Sequence, residues 1–274
     1  GMSSVDFEPR EIRDADALAV LRQLNQNGFP KAAKGMVFDA IEEVAFSNVI
    51  SPLKNWLLEL GAKAAENRQP KEYLDTWMYR FLGVPFNEDD VNKNKYIMAV
   101  SRAFAISAVA RGINSGCKVD SVLILEGNQG AGKSTAMREL CGADFFGDAL
   151  PPMHSKDASD YIRGKWLIEL AELSNINKAE VEIAKAFISR NEERFRPAYG
   201  RNEIVYPRSC VFVGTTNKMD YLRDSTGNRR FWPIEVGEIN LELIREEREM
   251  LFGEAVLAMQ SGENWWLPRE IEEL

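Results

Sequence analysis

Eight consecutive residues, GNQGAGKS from Gly127 to Ser134, match the phosphate-binding loop pattern G-x-x-x-x-G-K-[ST]. The glycines let successive backbone N–H groups curve around a polyphosphate, and the N-terminus of a following helix adds positive potential. Lys133 is then placed to reach the β- and γ-phosphates, and the hydroxyl of Ser134 to bind Mg²⁺. The alternative is a glycine-rich strand–helix turn with an incidental lysine. The predicted nucleotide contacts are Gly127, Asn128, Gln129, Gly130, Ala131, Gly132, Lys133, Ser134 and Thr135.

Two glutamates stand in or beside a later apolar run, Lys165–Ala171. A nucleotide site needs an acidic residue at a strand end, to hold Mg²⁺ or to polarise the attacking water. Glu172 follows the run, at the carboxyl edge where open α/β sheets bind ligands, so we predict it as the water-activating residue. Glu169 is the second candidate, for the metal, because an uncompensated carboxylate within a buried strand is costly. The alternative for Glu169 is a salt bridge to Arg163.

An asparagine, Asn217, follows the apolar run Cys210–Thr215. A side-chain amide at such an edge can hydrogen-bond a γ-phosphate or orient water. Asparagine also ends many strands as a turn former. Its place in the order phosphate loop, acidic strand, amide-ended strand favours a role at the nucleotide.

Paired arginines, Arg229 and Arg230, precede a fourth apolar run, Phe231–Val236. A guanidinium delivered to a γ-phosphate raises phosphoryl-transfer rates by roughly 10³–10⁵. Their distance along the chain from the phosphate loop suggests delivery to the site of a neighbouring subunit. The alternative is surface salt bridging.

The elements that must position these residues are short apolar strands separated by helices. This alternation predicts a parallel, doubly wound α/β sheet. The predicted strands are Val122–Glu126, Lys165–Ala171, Cys210–Thr215 and Phe231–Val236, and the predicted intervening helices are Ser134–Leu140 and Asn177–Arg190. The segment Phe195–Tyr206 has alternating arms around Tyr199–Asn202 and predicts a hairpin.

The rest of the chain has a helical pattern. Apolar residues three and four apart predict helices at 14–25, within 36–60, at 73–82 and at 91–112, with a charged connector at 61–72. A long acidic helix is predicted at 241–260, and Trp265 and Trp266 after it are expected to pack rather than to bind bases. We therefore predict a helical N-terminal domain (1–115), a phosphate-loop core (116–240) and a C-terminal helical segment (241–274).

Charge is distributed unevenly along the chain. Overall, 34 Lys and Arg against 42 Asp and Glu give a formal net charge of −8, which excludes a uniformly basic nucleic-acid binder. Between Lys185 and Arg230, however, ten basic residues face five acidic ones, whereas Glu238–Leu274 has three arginines and ten glutamates. A solvated surface is the ordinary reason for such runs. Any contact with an anionic polymer is therefore expected in the middle of the chain.

Cysteine usage is sparse. Cys117, Cys141 and Cys210 form no C-x-x-C pair, and His154 is the single histidine. This pattern argues against a zinc site and a disulfide framework and is typical of a reducing, cytoplasmic environment. There is no signal peptide and no uninterrupted apolar run of about 18 residues, so we predict no membrane span.

Together these motifs resemble the superfamily 3 helicases, a branch of the AAA+ ATPases, and within them the virulence-associated protein E family of phages and mobile elements. The resemblance covers about half the chain and is looser over 51–112 and 241–267. The matching stretches are SGCKVDSVLILEGNQGAGKST (115–135), GKWLIELAELS (164–174), RFRPAYGR (194–201), PRSCVFVGTTN (207–217) and DSTGNRRFWPIEV (224–236).

The resemblance implies a P-loop NTPase fold and an ATP- and Mg²⁺-dependent hexameric ring that moves along single-stranded or forked DNA during replication of a mobile element. Glu172 matches the family's acidic motif, Asn217 its sensor, and Arg229 and Arg230 its arginine finger. The segment 185–208 falls where such helicases place a DNA-touching hairpin. There the expected DNA contacts are Arg194, Arg196 and Arg201.

The chain also departs from the family pattern. Its acidic motif lacks the adjacent carboxylate pair common in the superfamily, which leaves the division of metal and water roles between Glu169 and Glu172 open. It lacks the N-terminal primase region of longer relatives and ends soon after Pro268, earlier than the resemblance leads us to expect. Two other functions stay open: an ATP-switched DNA-binding or scaffolding module with little turnover, and a small-molecule P-loop kinase.

Overall fold

The structure, a computed structural model, describes residues 14–47, 50–67, 72–170, 178–196, 203–217 and 228–272. The chain divides into two compact units, Gly1–Ser51 and Pro52–Leu274. In the first unit, helices α1 (Asp14–Gln26) and α2 (Lys34–Ser47) pack against each other. Both helices were predicted from their apolar spacing.

The second unit contains the sheet and the longest helices. Its helices are α3 (Pro52–Asn67), α4 (Tyr73–Leu82), α5 (Val91–Ile113), α6 (Lys133–Cys141), α7 (Lys156–Tyr161), α8 (Lys178–Ile188), α9 (Leu241–Gln260) and α10 (Arg269–Glu272). Its strands are β1 (Val122–Glu126), β2 (Phe146–Gly147), β3 (Leu167–Leu170), β4 (Glu192–Phe195), β5 (Ile204–Pro207), β6 (Val211–Thr216) and β7 (Phe231–Glu235).

Five strands form one parallel sheet in the order β2-β3-β6-β1-β7. Strand β1 lies between β6 and β7, with Glu126 opposite Thr216 and Glu235. The residues that follow these strands therefore meet at one edge of the sheet. The predicted α/β fold class, a P-loop parallel sheet, is confirmed; β2, α7 and α10 were not predicted.

Alternating residues of the strands face two separate cores, since successive side chains of a strand point to opposite faces. Leu123 and Leu125 of β1 belong to a large cluster that α3, α4, α5 and α9 complete. Val122 and Ile124 belong to a second cluster with residues of α7 and α8. The sheet is thus buried on both faces, as parallel sheets generally are.

The compact units do not follow the predicted boundary at residue 115. Helices α3, α4 and α5 share their core with β1, and α9 packs on α3 and α5. The reason is that the apolar face of the sheet needs this helical cover. The segment 61–67, expected as part of a connector, instead continues α3. Gly61 lets this part of the helix pack closely on α9, since a Cβ at Gly61 would lie 2.4 Å from Val256 Cγ1.

Helix α5 is long and apolar enough to cross a membrane, although charged residues interrupt its apolar run. Its most apolar 18-residue window is 78% buried inside the protein. Burial of this kind is the pattern of a core helix in a soluble domain. The indole N–H of Trp166 donates to Ala108 O of this helix at 2.7 Å, which joins α5 to the residue before β3.

Two glycines let the end of α4 cross the end of β7 at backbone distance. A Cβ on Gly237 would lie 2.2 Å from the carbonyl oxygen of Gly83. Gly237 N also donates to Leu82 O at 3.0 Å. We expect Gly237→Ala to lower the free energy of unfolding by roughly 1–3 kcal/mol, the cost of overpacking a fixed contact. Urea unfolding measures this, with Gly35→Ala as control because a Cβ on Gly35 meets no atom within 4 Å; equal stability of the two variants would contradict it.

A buried carboxylate of α9 caps the start of α4. Glu254 is 5% exposed, and its Oε2 accepts the backbone N–H groups of Tyr73 at 2.8 Å and Leu74 at 3.2 Å. Burial raises the pKa of Glu254; the two N–H groups and Arg102 oppose this rise, and Asp75 adds to it. Because the folded-state pKa exceeds the unfolded one, the stability from this group is present at low pH and is lost as pH rises through the folded-state pKa.

Glu254→Gln should therefore change stability in a pH-dependent way. Glutamine does not titrate, so the variant should gain relative to wild type as pH rises from about 4.5 to neutral. The measurement is the difference in free energy of unfolding between the two proteins at both pH values. A difference that stays constant with pH would show that Glu254 does not titrate abnormally.

Candidate nucleotide-binding site

The loop between β1 and α6 has the shape that the phosphate-binding pattern requires. Gly130 and Gly132 have φ angles of 80° and 83°, in the left-handed region that glycine adopts without strain. Gly127 N donates to Thr216 O at 3.2 Å, which ties the start of the loop to β6. The first N–H groups of a helix have no partner within it, so the start of α6 presents donors and positive potential to this loop.

Lys133, the first residue of α6, is 7% exposed and lies within the loop. Its ammonium donates to Gly127 O at 2.7 Å, to Asn128 O at 2.9 Å and to Asn217 Oδ1 at 3.2 Å. Burial lowers the pKa of Lys133, and the charge of Glu169 opposes this. The predicted sensor amide and the predicted phosphate lysine are therefore in direct contact.

Glu169 joins two strands, β3 and β6, to helix α6. This carboxylate in β3 is 5% exposed, and its Oε1 accepts the hydroxyls of Ser134 and Thr215, both at 2.7 Å. Its predicted alternative partner, Arg163, pairs instead with Asp160 at 3.2 Å. A hydroxyl and a carboxylate in contact are the oxygen ligands that Mg²⁺ takes beside a nucleotide.

The predicted water-activating residue, Glu172, lies outside the described residues. Glu169 is thus the acidic candidate that the structure places beside Ser134, and the division of roles predicted for the two glutamates stays a prediction. The residues present fit Mg²⁺–ATP. The loop has two glycines in the left-handed region, the ammonium of Lys133 lies against the loop carbonyl groups, and the hydroxyl of Ser134 contacts the carboxylate of Glu169.

The paired arginines lie at the opposite edge of the sheet from the phosphate loop. Arg230 immediately precedes β7, whose first residue, Phe231, is opposite Val122 at the start of β1. The length of a five-residue strand, about 13 Å, therefore separates them from the loop after β1. Arg229 is exposed, and Arg230 Nε lies 3.9 Å from Asp120 Oδ2. Their delivery to the site of a neighbouring subunit stays a prediction.

The predicted hairpin is present as the antiparallel pair β4 and β5, with Arg194 opposite Val205. Arg194 and Arg196 have exposed side chains, and an Arg194 guanidinium nitrogen lies 3.9 Å from Glu192. The tip of the hairpin, with Arg201, lies outside the described residues. Two of the three predicted DNA contacts are therefore on the hairpin surface.

A buried ionic cluster fixes the base of this hairpin. Glu193 is 1% exposed and accepts Arg208 Nε at 2.6 Å, Ser159 Oγ at 2.5 Å and Arg190 at 3.3 Å. The guanidinium of Arg208 lies 4.4 Å from the centre of the Phe187 ring. Ser159 and the carbonyl oxygen of Phe187, which accepts Arg208 Nη1 at 2.6 Å, tie the hairpin base to α7 and α8. Removing one partner of such a cluster leaves a buried charge without compensation, which is strongly destabilising.

The family assignment rests on a match that spans most of the chain. Residues 63–274 match the profile of the Virulence-associated protein E-like domain family. The chain belongs to this family. The matched region contains the phosphate loop, Glu169, Asn217, the hairpin and the paired arginines of this virulence-associated protein E-like domain.

Solved structures of the C-terminal region of NrS-1 are similar to this chain. An apo structure of that region (305–718) has 16% sequence identity and a TM-score of 0.45, covering 81% of this chain and 49% of that one. An A-form apo structure has 16% identity and a TM-score of 0.42, covering 63% and 45%. This chain thus spans about half the length of those structures. No curated protein matches it.

Three residues that support the site and the hairpin, Thr215, Glu193 and Arg208, were not predicted from the sequence. Thr215 holds Glu169, yet nothing distinguished it from other strand residues except its position two residues before Asn217. Glu193 and Arg208 were missed because their partners, Ser159 and Phe187, are distant in sequence. The signal that could have found them is a charged pair bracketing a predicted hairpin, Glu193 at its start and Arg208 at its end.

Proposed function

We propose that this domain is an Mg²⁺–ATP-dependent DNA translocase or helicase that acts in the replication of phage or mobile-element DNA. The single observation that carries the proposal is the convergence of Lys133 with Asn217 and of Ser134 with Glu169. A glycine-rich turn with an incidental lysine has no reason to bring a sensor amide and a metal-binding pair together. Family membership supports the biological setting.

Each residue has a distinct part in the proposed reaction. Backbone N–H groups of the loop and the ammonium of Lys133 bind the polyphosphate. The ammonium then exchanges its contacts with Gly127 O, Asn128 O and Asn217 Oδ1 for contacts with phosphate oxygens. Asn217 lies close enough to Lys133 to orient the γ-phosphate or the attacking water. Glu172 is proposed to take up the proton of that water. Catalysis of this kind is mainly positioning and electrostatic stabilisation.

Ser134 and Glu169 are the residues that would hold Mg²⁺. When bound, the ion neutralises charge on the phosphate oxygens and orients them. Thr215 fixes the Glu169 carboxylate through its hydroxyl at 2.7 Å, so that the carboxylate stays in place beside Ser134.

Arg229 and Arg230 are proposed to act on the nucleotide of a neighbouring copy. The length of β7 separates them from their own loop, so a site completed by arginine requires assembly. A hexameric ring satisfies this requirement, because a head-to-tail interface repeated by rotation closes on itself. Partner and cofactor are accordingly DNA, further copies of this chain, ATP and Mg²⁺.

The hairpin β4–β5 is proposed to contact the DNA backbone through Arg194, Arg196 and Arg201. Guanidinium groups bind phosphate oxygens without reading base sequence. The rigid base around Glu193 would transmit the movement of the core to these arginines. The domain as a whole is acidic, so its DNA contact must be local, as the basic middle of the chain indicates.

The proposal is tested by ATP hydrolysis with and without single-stranded DNA, in wild type and in the double variant Arg194→Ala/Arg196→Ala. Wild type should hydrolyse ATP faster with DNA, and the variant should lose this stimulation but keep its basal rate. Removing two phosphate contacts should also reduce the slope of log affinity against log salt by about 1.4 for a single strand.

A matched control is Lys54→Ala/Lys63→Ala, which removes the same charge from the exposed side of α3. This control should keep both stimulation and salt slope. A rate of ATP hydrolysis in wild type that does not change when DNA is added would contradict the translocase proposal and favour a kinase-like enzyme. DNA retention with ATP binding but no turnover would favour the ATP-switched module.

A further inference from the structure

A cleft of about 370 Å³ lies beside the paired arginines, at the amino edge of β1 and β7. We call it the tryptophan cleft; its lining includes Lys118, Asp120, Arg229, Arg230, Trp266 and Glu272. Trp265 is fixed, because its indole N–H donates to Lys118 O at 2.8 Å. Both tryptophans were expected to pack; Trp266 contacts Trp265 edge-on, yet its side chain remains 57% exposed.

A second cleft, of about 480 Å³, lies beside the nucleotide site. We call it the acidic cleft; its lining includes Asp148, Pro151, Met153, Glu169, Glu180 and Ile183. Two exposed carboxylates, Asp148 and Glu180, give it negative charge, and Ile183 is 40% exposed. Glu169 belongs to both this cleft and the site, since it accepts the hydroxyl of Ser134.

The two clefts complement each other in charge and in apolar content. The tryptophan cleft offers three cations and an exposed indole, and the acidic cleft offers two exposed carboxylates with proline, methionine and isoleucine. They lie at opposite edges of the sheet, so one molecule is unable to join its own two clefts. Two different complementary patches on one molecule produce a head-to-tail interface between copies.

Single-stranded DNA is a weaker fit to the tryptophan cleft. Asp120 and Glu272 line it together with the cations, and Arg230 faces Asp120 at 3.9 Å. A polyanion would meet these carboxylates, whereas a protein surface of mixed charge pairs with them. Tryptophan and arginine are also the residues most enriched in the energetic centre of protein interfaces.

We propose that the tryptophan cleft of one copy docks on the acidic cleft of the next, with Trp266 against Ile183. This inference rests on the proposed function, because it names the surfaces by which a neighbour would bring its arginines to a nucleotide. Trp266 is then a positioning residue: it places Arg229 and Arg230 and touches no reacting atom. Its loss weakens assembly, whereas the loss of an arginine slows hydrolysis.

The test is a cross-link between two different proteins, each with one exposed cysteine. One carries Trp266→Cys and the other Ile183→Cys, each in a Cys117→Ser background, since Cys117 is the half-buried native thiol while Cys141 and Cys210 are buried. With Mg²⁺ and a non-hydrolysable ATP analogue, and at a protein concentration above that at which Trp266→Ala protein half-assembles, a short bismaleimide should join the two proteins when mixed. Neither protein alone should cross-link, because the contact is head-to-tail.

Sedimentation velocity provides the second measurement. Trp266→Ala should raise the concentration for half-assembly on the order of 10- to 100-fold, as expected for an interface tryptophan, and Trp266→Phe should raise it less. Phe29→Ala, which removes an aromatic side chain that is 62% exposed, is the matched control and should leave assembly unchanged. Binding of a fluorescent ATP analogue, measured on each variant, should be unchanged.

Three results would overturn the inference. Oligomers without the mixed cross-link would place the interface elsewhere, and a monomer at every concentration would exclude this contact. Normal assembly of Trp266→Ala with lost DNA binding would assign the cleft to nucleic acid. These failures are distinct from failure of the proposed function, which would appear as absent nucleotide binding or hydrolysis in wild type while the cross-link still forms.

Discussion

Lys133→Ala is expected to abolish ATP hydrolysis while leaving the fold intact. The ammonium is the cation that the loop holds at its centre, against Gly127 O, Asn128 O and Asn217 Oδ1. Without it, the transferred phosphoryl group loses a positioned positive charge, and losing one such group lowers turnover by roughly 10²–10³ or more. Steady-state phosphate release, with and without single-stranded DNA, measures the effect.

The fold should survive because the carbonyl partners of Lys133 belong to a loop whose Asn128, Gln129 and Gly130 are exposed to water. Far-UV circular dichroism and thermal unfolding should match wild type. Lys165→Ala is a suitable control, since Lys165 is a basic residue whose ammonium bonds only to Asp144 O among the contacts described, at 3.0 Å. Hydrolysis retained by a folded Lys133→Ala protein would remove the basis for assigning the phosphate loop.

The double variant Arg229→Ala/Arg230→Ala should lower hydrolysis by roughly 10³–10⁵, the range for loss of an arginine finger. Its own nucleotide site, a strand length away, should still bind ATP with wild-type affinity. The decisive result is expected on mixing it with Lys133→Ala protein. In a mixed ring, the arginine variant supplies an intact phosphate loop and the lysine variant supplies intact arginines. An interface between these two subunits therefore has every group needed for hydrolysis.

With free exchange and equal amounts, about one interface in four has this composition, so the mixture should recover a fraction of that order. Exchange is checked beforehand by energy transfer between differently labelled subunits. Recovery above the sum of the two separate proteins supports delivery between copies. If labelled subunits exchange and no ratio restores hydrolysis, Arg229 and Arg230 do not act across an interface.

The nucleotide-binding half of the site could be predicted because its residues are close in sequence and strictly spaced. A strand, a glycine-rich loop and a lysine at the start of a helix have one workable arrangement, and β1, the loop and α6 follow it. The partners of Glu169 were less predictable, because Ser134 and Thr215 meet it only through the strand order β3-β6-β1. Strand order depends on packing between distant segments, which periodicity does not contain.

Two elements of the fold, the edge strand β2 and the second half of α3, were not predicted correctly. The two-residue strand β2 is too short to show alternation, and it pairs only at the edge of the sheet. Helix α3 was predicted too short because 61–72 was assigned as a charged connector, yet Gly61 within that segment is what allows close contact with α9. The same residue lowers helix propensity locally and improves packing globally, and the sequence displays only the first effect.

Strand β6 connects Asn217, the proposed nucleotide sensor, to the hairpin in a single segment. All six of its residues are buried, and it is bonded to β1 on one side and β3 on the other. Asn217 follows one end; Arg208, locked to Glu193, precedes the other by three residues. A strand that is buried and paired on both sides has little freedom to bend, and six residues span about 16 Å between its ends. In the proposed translocase the hairpin would therefore move together with the core, and we expect a variant that destabilises β6 to uncouple ATP turnover from movement along DNA.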